Sequence, residues 1–236
     1  MAIYHFSAKV ISRANGSSAV ASGAYRAAER LHDDRLGRNH DFSNKAGVVH
    51  SEIMLPEGAP ERLNDRTTLW NEVEAGEKRK DAQLAREVEF SIPHELDQQQ
   101  GVHLARDFVE KQFVERGMVA DLNVHWDFAK DGSPKPHAHV MLSMREVGPE
   151  GFGQKVRDWN RTELLQGWRE AWANHVNERL AELDIEARID HRTLEAQGIE
   201  LEPQHKIGPA GSRRLDRGED AERADDHLRI AHENGE

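Results

Sequence analysis

The chain of 236 residues contains no cysteine. Disulfide bonds and thiolate metal ligands are therefore excluded, and any metal ion would have to be bound by histidine and carboxylate side chains. This set of ligands favours an open, catalytic metal site over a structural zinc site.

Long apolar segments are also lacking, since no run of 18 or more apolar residues occurs. The first six residues have the pattern of a strand and not that of a charged segment followed by an apolar signal sequence. We therefore expect a cytoplasmic protein with no membrane insertion. The hydrophobic share of 37% is sufficient for the core of one domain, and we expect a monomer.

Basic residues are fewer than acidic residues. The chain has 32 Lys and Arg and 43 Asp and Glu, which gives a formal net charge of −11. Net charge describes only the mean field of a protein, whereas a nucleic-acid groove needs a local excess of positive charge. Residues 1–50 contain seven Lys or Arg but only four Asp or Glu, while residues 219–226 are rich in acid. The amino-terminal region is therefore the electropositive part, and a nucleic-acid partner is not excluded.

Two histidines separated by one residue, His137 and His139, lie in a segment that we predict to be a strand. Alternate side chains of a strand share one face, and His125 has the matching parity in a second predicted strand. The Asp131-Gly132 pair between the two predicts a hairpin, and a turn centred near Gly132 would set His125 opposite His139. Opposed Cβ atoms lie about 5 Å apart and diagonal ones about 7 to 8 Å, so that the three imidazoles could reach one ion.

Three neutral imidazoles suit manganese, zinc, copper, nickel or iron and leave coordination positions for a substrate oxygen. Glu87 and Glu89 share one face of a predicted strand over residues 87–92, and either could accept a hydrogen bond from a ligating histidine. The alternative for the histidine pair is simple packing or solvent exposure. For Glu89 the alternative is an exposed charge on a solvated face.

The spacing of apolar residues along the chain predicts the other strands and the helices. It predicts strands near residues 2–10 and 48–55, and helices over 17–31, from Asn64, over 97–117 and over 160–183. A serine caps the first helix, Asp97 begins the third, Gly117 ends it, and Asn160 to Glu163 matches a capping box. Residues 32–46 are polar and are predicted to form a surface loop.

Only two tyrosines occur in the chain. Tyr4 lies between Ile3 and Phe6 in a predicted strand, where packing in the core is the expected role. Tyr25 lies in the middle of a predicted helix among small or polar neighbours, which leave room for a bulky substrate. Tyr25 is therefore a possible nucleophile, although a structural role remains open on this evidence alone.

Several motifs together resemble the MobA/MobL-type conjugative relaxases in order and approximate spacing. They are Met1 to Phe6, Ser17-Ser18-Ala19, Ala24-Tyr25-Arg26, Arg86-Glu87-Val88, Asn123-Val124-His125, Pro136-His137-Ala138-His139, Arg157-Asp158-Trp159-Asn160 and Leu201-Glu202-Pro203-Gln204. The chain most resembles the TraA-like branch, in which a helicase commonly follows the relaxase. The resemblance implies a relaxase domain over 1–211 and a charged tail or linker over 212–236 that could lead to a helicase domain.

The resemblance further implies an α+β fold of the relaxase and rolling-circle initiator (HUH endonuclease) type, with an antiparallel sheet and packed helices. Tyr25 would be the nucleophile, and His125, His137 and His139 would hold a divalent ion. The expected ion is manganese or magnesium, with zinc as a further option. Glu87 would be the carboxylate that orients a metal-bound histidine, and His125 is the expected partner.

The implied activity is the nicking and rejoining of one plasmid DNA strand at an origin of transfer through a 5′-phosphotyrosyl intermediate. Single-stranded origin DNA, relaxosome accessory proteins and a type IV coupling protein are the implied partners, and the DNA-linked protein would pass to the recipient cell. The expected phosphate contacts are Arg13, Arg26, Arg30, Lys78, Arg79, Lys80 and Arg161. A rolling-circle replication initiator, a noncatalytic metal-stabilised origin-binding protein and a hydrolytic nuclease remain the alternatives.

Overall fold

The computed structural model describes residues 4–192, and its elements belong to a compact unit that ends at Ile189. The strands are β1 (Phe6–Ser12), β2 (Arg30–Asp33), β3 (Arg38–Asp41), β4 (Val48–Met54), β5 (Gln83–Ser91), β6 (Ala120–Phe128), β7 (Pro134–Leu142), β8 (Arg145–Gly148) and β9 (Gly151–Lys155). The helices are α1 (Ala19–Ala27), α2 (Arg66–Gly76), α3 (Gln98–Val109) and α4 (Thr162–Glu182). The predicted domain boundary at 211 and the charged segment 212–236 lie outside the described residues.

Five strands form one sheet in the order β1-β5-β7-β6-β4, and every neighbouring pair is antiparallel. The pairs β2-β3 and β8-β9 form two small separate sheets. Helices α3 and α4 pack on one face of the large sheet, and α1 and α2 lie on the other. The predicted α+β class with an antiparallel sheet is confirmed.

The main core lies between the large sheet and helices α3 and α4. Phe90 of β5 contacts Phe108 of α3 and Trp172 of α4 at ring-centroid distances of 5.5 Å and 4.2 Å. Full burial of each such side chain contributes on the order of 2 kcal/mol. Because side chains alternate along a strand, Glu87 and Glu89 lie on the opposite face of β5 from Phe90.

The signals at the ends of α3 are confirmed. Asp97 accepts the backbone N–H of Gln100, whose side chain in turn accepts the backbone N–H of Asp97. After Val109 the helical path continues in a π-helical turn over Glu110–Val114, and Gly117 follows that turn at φ 99°, in the left-handed region that favours glycine. The predicted capping box at Asn160 to Glu163 is wrong, because α4 starts after Arg161 and no side chain caps it.

The segment around residues 28–46 differs from its prediction. Helix α1 ends at Ala27 instead of near residue 31, because Ala28 adopts left-handed dihedrals of φ 55° and ψ 47°. The loop predicted over 32–46 is wrong in part, because the β2-β3 hairpin occupies residues 30–41, with Arg30 paired with Asp41. The helix predicted from Asn64 begins two residues later: α2 starts at Arg66 and is capped by the side chain of Asp65, which accepts the Thr68 N–H.

Helix α1 is fixed by α2 at close range. A Cβ atom on Gly23 would lie 2.8 Å from Cδ1 of Trp70, so that only glycine fits at this contact. At the start of α1, the buried carboxylate of Glu74 accepts the Ala19 N–H at 2.8 Å. These contacts set the position of the helix that carries Tyr25. Over residues 4–192, we find no helix with both the length and the apolar character needed to cross a bilayer.

Candidate active site

Three imidazoles converge on the face of the sheet that α1 and α2 cover. His125 lies on β6 and His137 and His139 lie on β7, with ring centroids 4.6 to 5.1 Å apart. One nitrogen from each ring lies within 4.8 Å of one nitrogen from each of the others. The triangle of nitrogens could hold a single metal ion.

The register of the hairpin differs from the prediction. His125 pairs with His137, and His139 pairs with Asn123, so the expected opposition of His125 and His139 is wrong. The Gly132 N–H donates to the Ala129 carbonyl at 2.9 Å, and Gly132 has φ 84°. The turn is therefore centred one residue earlier than expected. The pairing shifts by two residues, which leaves all three histidines on the same face.

His125 is the buried member of the triad. Its Nε2 lies 2.8 Å from the backbone oxygen of Arg26, and because a carbonyl only accepts, Nε2 carries the proton. Burial lowers the pKa of His125 to about 4, and the neighbouring His139 and Lys45 act in the same direction. The imidazole is therefore neutral at neutral pH and offers a lone pair on Nδ1 for a metal ion.

Glu87 is 2% exposed and lies beside His139. Its Oε1 is 3.6 Å from Nδ1 of His139, while its Oε2 forms an ion pair with Arg26. Burial by itself raises the pKa of Glu87, but His139, Arg26 and Lys9 together outweigh it and lower the pKa. The carboxylate is therefore ionised beside the histidines.

The expected contact between Glu87 and His125 is wrong, and the strand order gives the reason. Strand β5 is the neighbour of β7 and not of β6. Glu87 pairs with Met141 of β7, and its carboxylate reaches His139 diagonally across the two strands. Nδ1 of His139 is buried and has no hydrogen-bond partner among the described residues. Glu89 is farther away, at 4.0 Å from that nitrogen, and is partly exposed. Nδ1 of His139 thus faces the Glu87 carboxylate, which leaves Nε2 of that ring, together with the other two imidazoles, for a divalent ion.

Tyr25 lies near the carboxyl end of α1 and is 47% exposed. Its ring packs edge-on against Phe42 with centroids 5.2 Å apart, and Nζ of Lys45 lies 3.8 Å from the ring centroid. The following residue, Arg26, contacts His125 through its carbonyl and Glu87 through its guanidinium. The structure thus joins the helix of Tyr25 to the histidine cluster at two points.

Two of the expected DNA contacts are used inside the protein. The guanidinium of Arg13 pairs with Glu74 and donates to the carbonyls of Glu74, Glu77 and Arg79. Arg13 therefore stabilises the fold around Glu74, and its donors are used within the protein instead of being free for a phosphate. Arg26 is paired with the buried Glu87, so it acts first as a link between α1 and β5.

The other expected contacts are not brought to the histidines. Lys78, Arg79 and Lys80 are exposed and lie before the start of β5. The first residue of that strand, Gln83, is four positions from Glu87, which corresponds to about 13 Å along the strand. Arg79 pairs with Asp81 at 2.8 Å. Arg161 pairs with Asp158 at the start of α4, a helix on the other face of the sheet. Arg30 is exposed at the start of β2, shortly after the end of α1.

Two cations at the site were not identified from the sequence. Lys9 of β1 lies opposite Glu87 of β5, with Nζ 3.7 Å from Oε1. Lys45 lies over the ring of Tyr25. The only signal for either was the excess of basic residues in the first 50 positions, because the contacts depend on pairing between segments that are distant in sequence.

A buried polar network beneath the site was also not predicted. The guanidinium of Arg66 on α2 donates to both oxygens of Asp121 on β6 at 2.9 Å and to Glu29 at 2.7 Å. Asp121 also accepts from Trp70 at 2.9 Å and from Asn123 at 3.0 Å. Because both Asp121 and Asn123 share the face of His125, this network fixes α2 against the strand that carries the first histidine.

The comparisons with known proteins agree on one family. The MobA/MobL family model matches residues 17–217. The conjugal transfer protein TraA of Agrobacterium fabrum (strain C58) is 37% identical over 239 residues, which cover 88% of this chain and 21% of TraA. The chain thus spans about a fifth of the length of that relative.

Two solved structures are similar in fold. A protein studied for the molecular basis of vancomycin resistance transfer in Staphylococcus aureus is 36% identical, with a TM-score of 0.73 over 81% of this chain and 100% of that one. The conjugative relaxase TrwC, in a metal-bound complex with oriT DNA, is 12% identical, with a TM-score of 0.51 over 98% of this chain and 99% of that one. The second likeness concerns the fold alone, and the expected relaxase-type fold is confirmed.

Proposed function

We propose, from the premise that this chain belongs to the MobA/MobL family, that it is the nicking domain of a conjugative relaxase. It would cut one strand of plasmid DNA at an origin of transfer and later rejoin that strand. The observation that carries this proposal is the attachment of the Tyr25 helix to three convergent histidines, through His125 and Glu87.

The exposed phenol of Tyr25 would act as the nucleophile. Its oxygen would form a bond to the phosphorus of the scissile phosphodiester as the bond to the 3′ oxygen breaks. The phenol gives up its proton, and the released 3′ oxygen takes one. The product is a 5′-phosphotyrosyl linkage, which keeps a phosphodiester bond and therefore allows a 3′-hydroxyl to reverse the reaction and rejoin the strand.

His125, His137 and His139 would hold the divalent ion. Such an ion, when bound, neutralises charge on the non-bridging phosphate oxygens. The expected ion is manganese or magnesium, with zinc as a further option, and TrwC, which shares the fold, has been solved in a metal-bound form. Glu87 would fix the ring of His139, and the carbonyl of Arg26 would fix the ring and the tautomer of His125.

The substrate would be single-stranded at the nick, because the phosphodiester must reach the exposed phenol of Tyr25 beside the histidines. Relaxosome accessory proteins and a type IV coupling protein are the proposed partners. We propose that the protein acts in the cytoplasm and accompanies the DNA into the recipient cell. TrwC, the relaxase of similar fold, was solved with oriT DNA, which supports the proposed substrate class.

The test uses 5′-labelled single-stranded oligonucleotides that tile the non-coding DNA beside the gene. With manganese or magnesium, one oligonucleotide should be cut at one position, and addition of an unlabelled strand with the same nick site and a longer 3′ segment should yield a longer labelled product, in which the labelled 5′ segment is joined to the new 3′ segment. EDTA should abolish both reactions. A hydrolytic nuclease would cut without joining, and a noncatalytic DNA-binding protein would bind without cutting; either result would refute the proposal.

A further inference from the structure

Lys45 lies directly over the proposed nucleophile. Its Nζ is 3.8 Å from the centroid of the Tyr25 ring, and it donates to the backbone oxygen of Tyr25 at 3.2 Å. An ammonium group has three N–H donors, so that two remain available after this hydrogen bond. The cation is therefore placed at the tyrosine with unused capacity for an anion.

The segment that carries Lys45 is fixed at both ends. The Lys45 N–H donates to the carbonyl of Phe42 at 2.9 Å, and the Phe42 ring packs edge-on against Tyr25. The Gly47 carbonyl accepts the Trp126 N–H at 2.8 Å. Gly47 has φ +98°, a backbone conformation that favours glycine. The position of Lys45 is therefore set by the fold and not by the side chain alone.

The charge of Lys45 is not neutralised locally. Among residues 4–192, no carboxylate lies within ion-pair distance of its Nζ, although Asp127 acts on it from farther away. Burial lowers the pKa of Lys45, the nearby Arg26 lowers it further, and Asp127 opposes both. A partly buried cation that lacks a paired carboxylate is stabilised by an incoming anion more than an exposed lysine is.

We infer that Lys45 binds a backbone phosphate of the DNA strand next to the scissile bond and so positions that bond at Tyr25. The inference rests on the proposed function, since it assumes that single-stranded DNA enters this site. It adds a second positive group, supplied by the chain itself, to the charge that a metal ion at the histidines would provide. Lys45 would also limit the motion of the Tyr25 ring through its cation–π contact.

The test combines Lys45→Met with oligonucleotides in which one phosphate at a time is replaced by an uncharged methylphosphonate. Affinity is measured by fluorescence anisotropy in the Tyr25→Phe background, which removes catalysis and keeps the ring. Lys45→Met should weaken binding of the unmodified strand by about ten- to a hundredfold, the size of a hydrogen bond to a charged group. At the phosphate that Lys45 binds, the methylphosphonate should weaken binding to the Lys45-containing protein. The same replacement should leave the affinity of Lys45→Met for DNA unchanged.

The inference would be overturned if, at every phosphate position, the methylphosphonate weakened binding to Lys45→Met by the same factor as binding to the Lys45-containing protein. Unchanged affinity in Lys45→Met would overturn it as well. Lys111→Met, at an exposed lysine after α3, is the matched control and should bind like the parent. Lys45→Arg keeps the charge and should recover part of the affinity, which a role limited to packing would not predict. Should Lys45→Met fail to fold, Lys45→Gln replaces it. Absence of nicking by the unmodified protein would refute the proposed function, whereas the anisotropy experiment would still decide the role of Lys45.

Discussion

Arg26 and Glu87 form an ion pair that joins the helix of Tyr25 to the strand beside the histidines. Arg26 follows Tyr25 in α1, and Glu87 lies 3.6 Å from His139. Both side chains are largely withdrawn from solvent, where removal of one partner of a pair is more costly than on the surface. The relative position of Tyr25 and the proposed metal ligands therefore depends on this contact.

Glu87→Gln should weaken metal binding. The substitution preserves the shape of the side chain and removes the negative charge beside His139, and loss of such a partner reduces metal affinity by about 10- to 100-fold. Manganese titration by calorimetry measures this change. Glu89→Gln, at the more distant and more exposed carboxylate, is the control and should change the affinity less. Equal affinities for both variants would contradict the role given to Glu87.

Metal binding should stabilise the folded protein. At a free manganese concentration 100 times the dissociation constant, the free energy of unfolding should rise by about 2.7 kcal/mol in urea titrations. His139→Ala should lose most of this gain, and EDTA should remove it from the unmodified protein. His103→Ala alters an exposed histidine on α3 and should keep the gain. A full gain in His139→Ala would place the ion elsewhere.

Gly23→Ala should destabilise the protein although it lies inside a helix. Alanine is ordinarily better than glycine in a helix by roughly 0.5–1 kcal/mol, but its Cβ would lie 2.8 Å from Trp70 here. We expect a net loss of about 1–3 kcal/mol in the free energy of unfolding, as for other overpacked cores. Gly167→Ala in α4 meets nothing within 4 Å and should stabilise the protein. The same sign for both substitutions would refute the packing argument.

The sequence predicts the histidine cluster because its geometry is local. A short turn joins β6 to β7, so residues of equal parity share a face even though the exact pairing was shifted by two residues. The apolar stripes of α3 and α4 and the cap at Asp97 are local as well. These features required no knowledge of distant contacts.

The remaining parts of the site depend on strand order. Glu87 faces His139 and Lys9 because β5 lies between β1 and β7, which no local pattern specifies. The β2-β3 hairpin is fixed by the buried carboxylate of Asp33, which Ser18 and His40 contact. Its strands therefore show little alternation of apolar and polar residues from which they could be predicted. Lys45 reaches Tyr25 only through the course of the segment after β3. Periodicity carries no information on any of these contacts.

Asp33 should give the protein a specific acid sensitivity. Burial opposes ionisation of Asp33, but hydrogen bonds from Ser18, His40 and Leu36 outweigh it, and its pKa is lowered. A carboxyl with a lowered pKa in the folded state stabilises that state above its unfolded pKa of about 3.9, and the contribution is lost as the pH falls further. Asp33→Asn should thus be about 1–3 kcal/mol less stable than the unmodified protein at pH 7.

That difference should shrink below pH 4, since protonated aspartic acid resembles asparagine. Urea unfolding of both proteins between pH 7 and pH 3 measures the effect. Asp34→Asn, at an exposed neighbour, should follow the unmodified protein throughout. A difference that stays constant down to pH 3 would show that ionisation of Asp33 is not the cause.

A covalent bond between DNA and Tyr25 is the decisive product of the proposed reaction. The protein is incubated with manganese and the origin oligonucleotide that it cuts, denatured in SDS, digested, and analysed by mass spectrometry for a nucleotide-bearing peptide. We expect an SDS-resistant adduct on the peptide that contains Tyr25, linked through a 5′ phosphate, and no adduct in Tyr25→Phe, which should still bind the DNA. An adduct on another residue, or cleavage that continues in Tyr25→Phe, would contradict the proposed reaction.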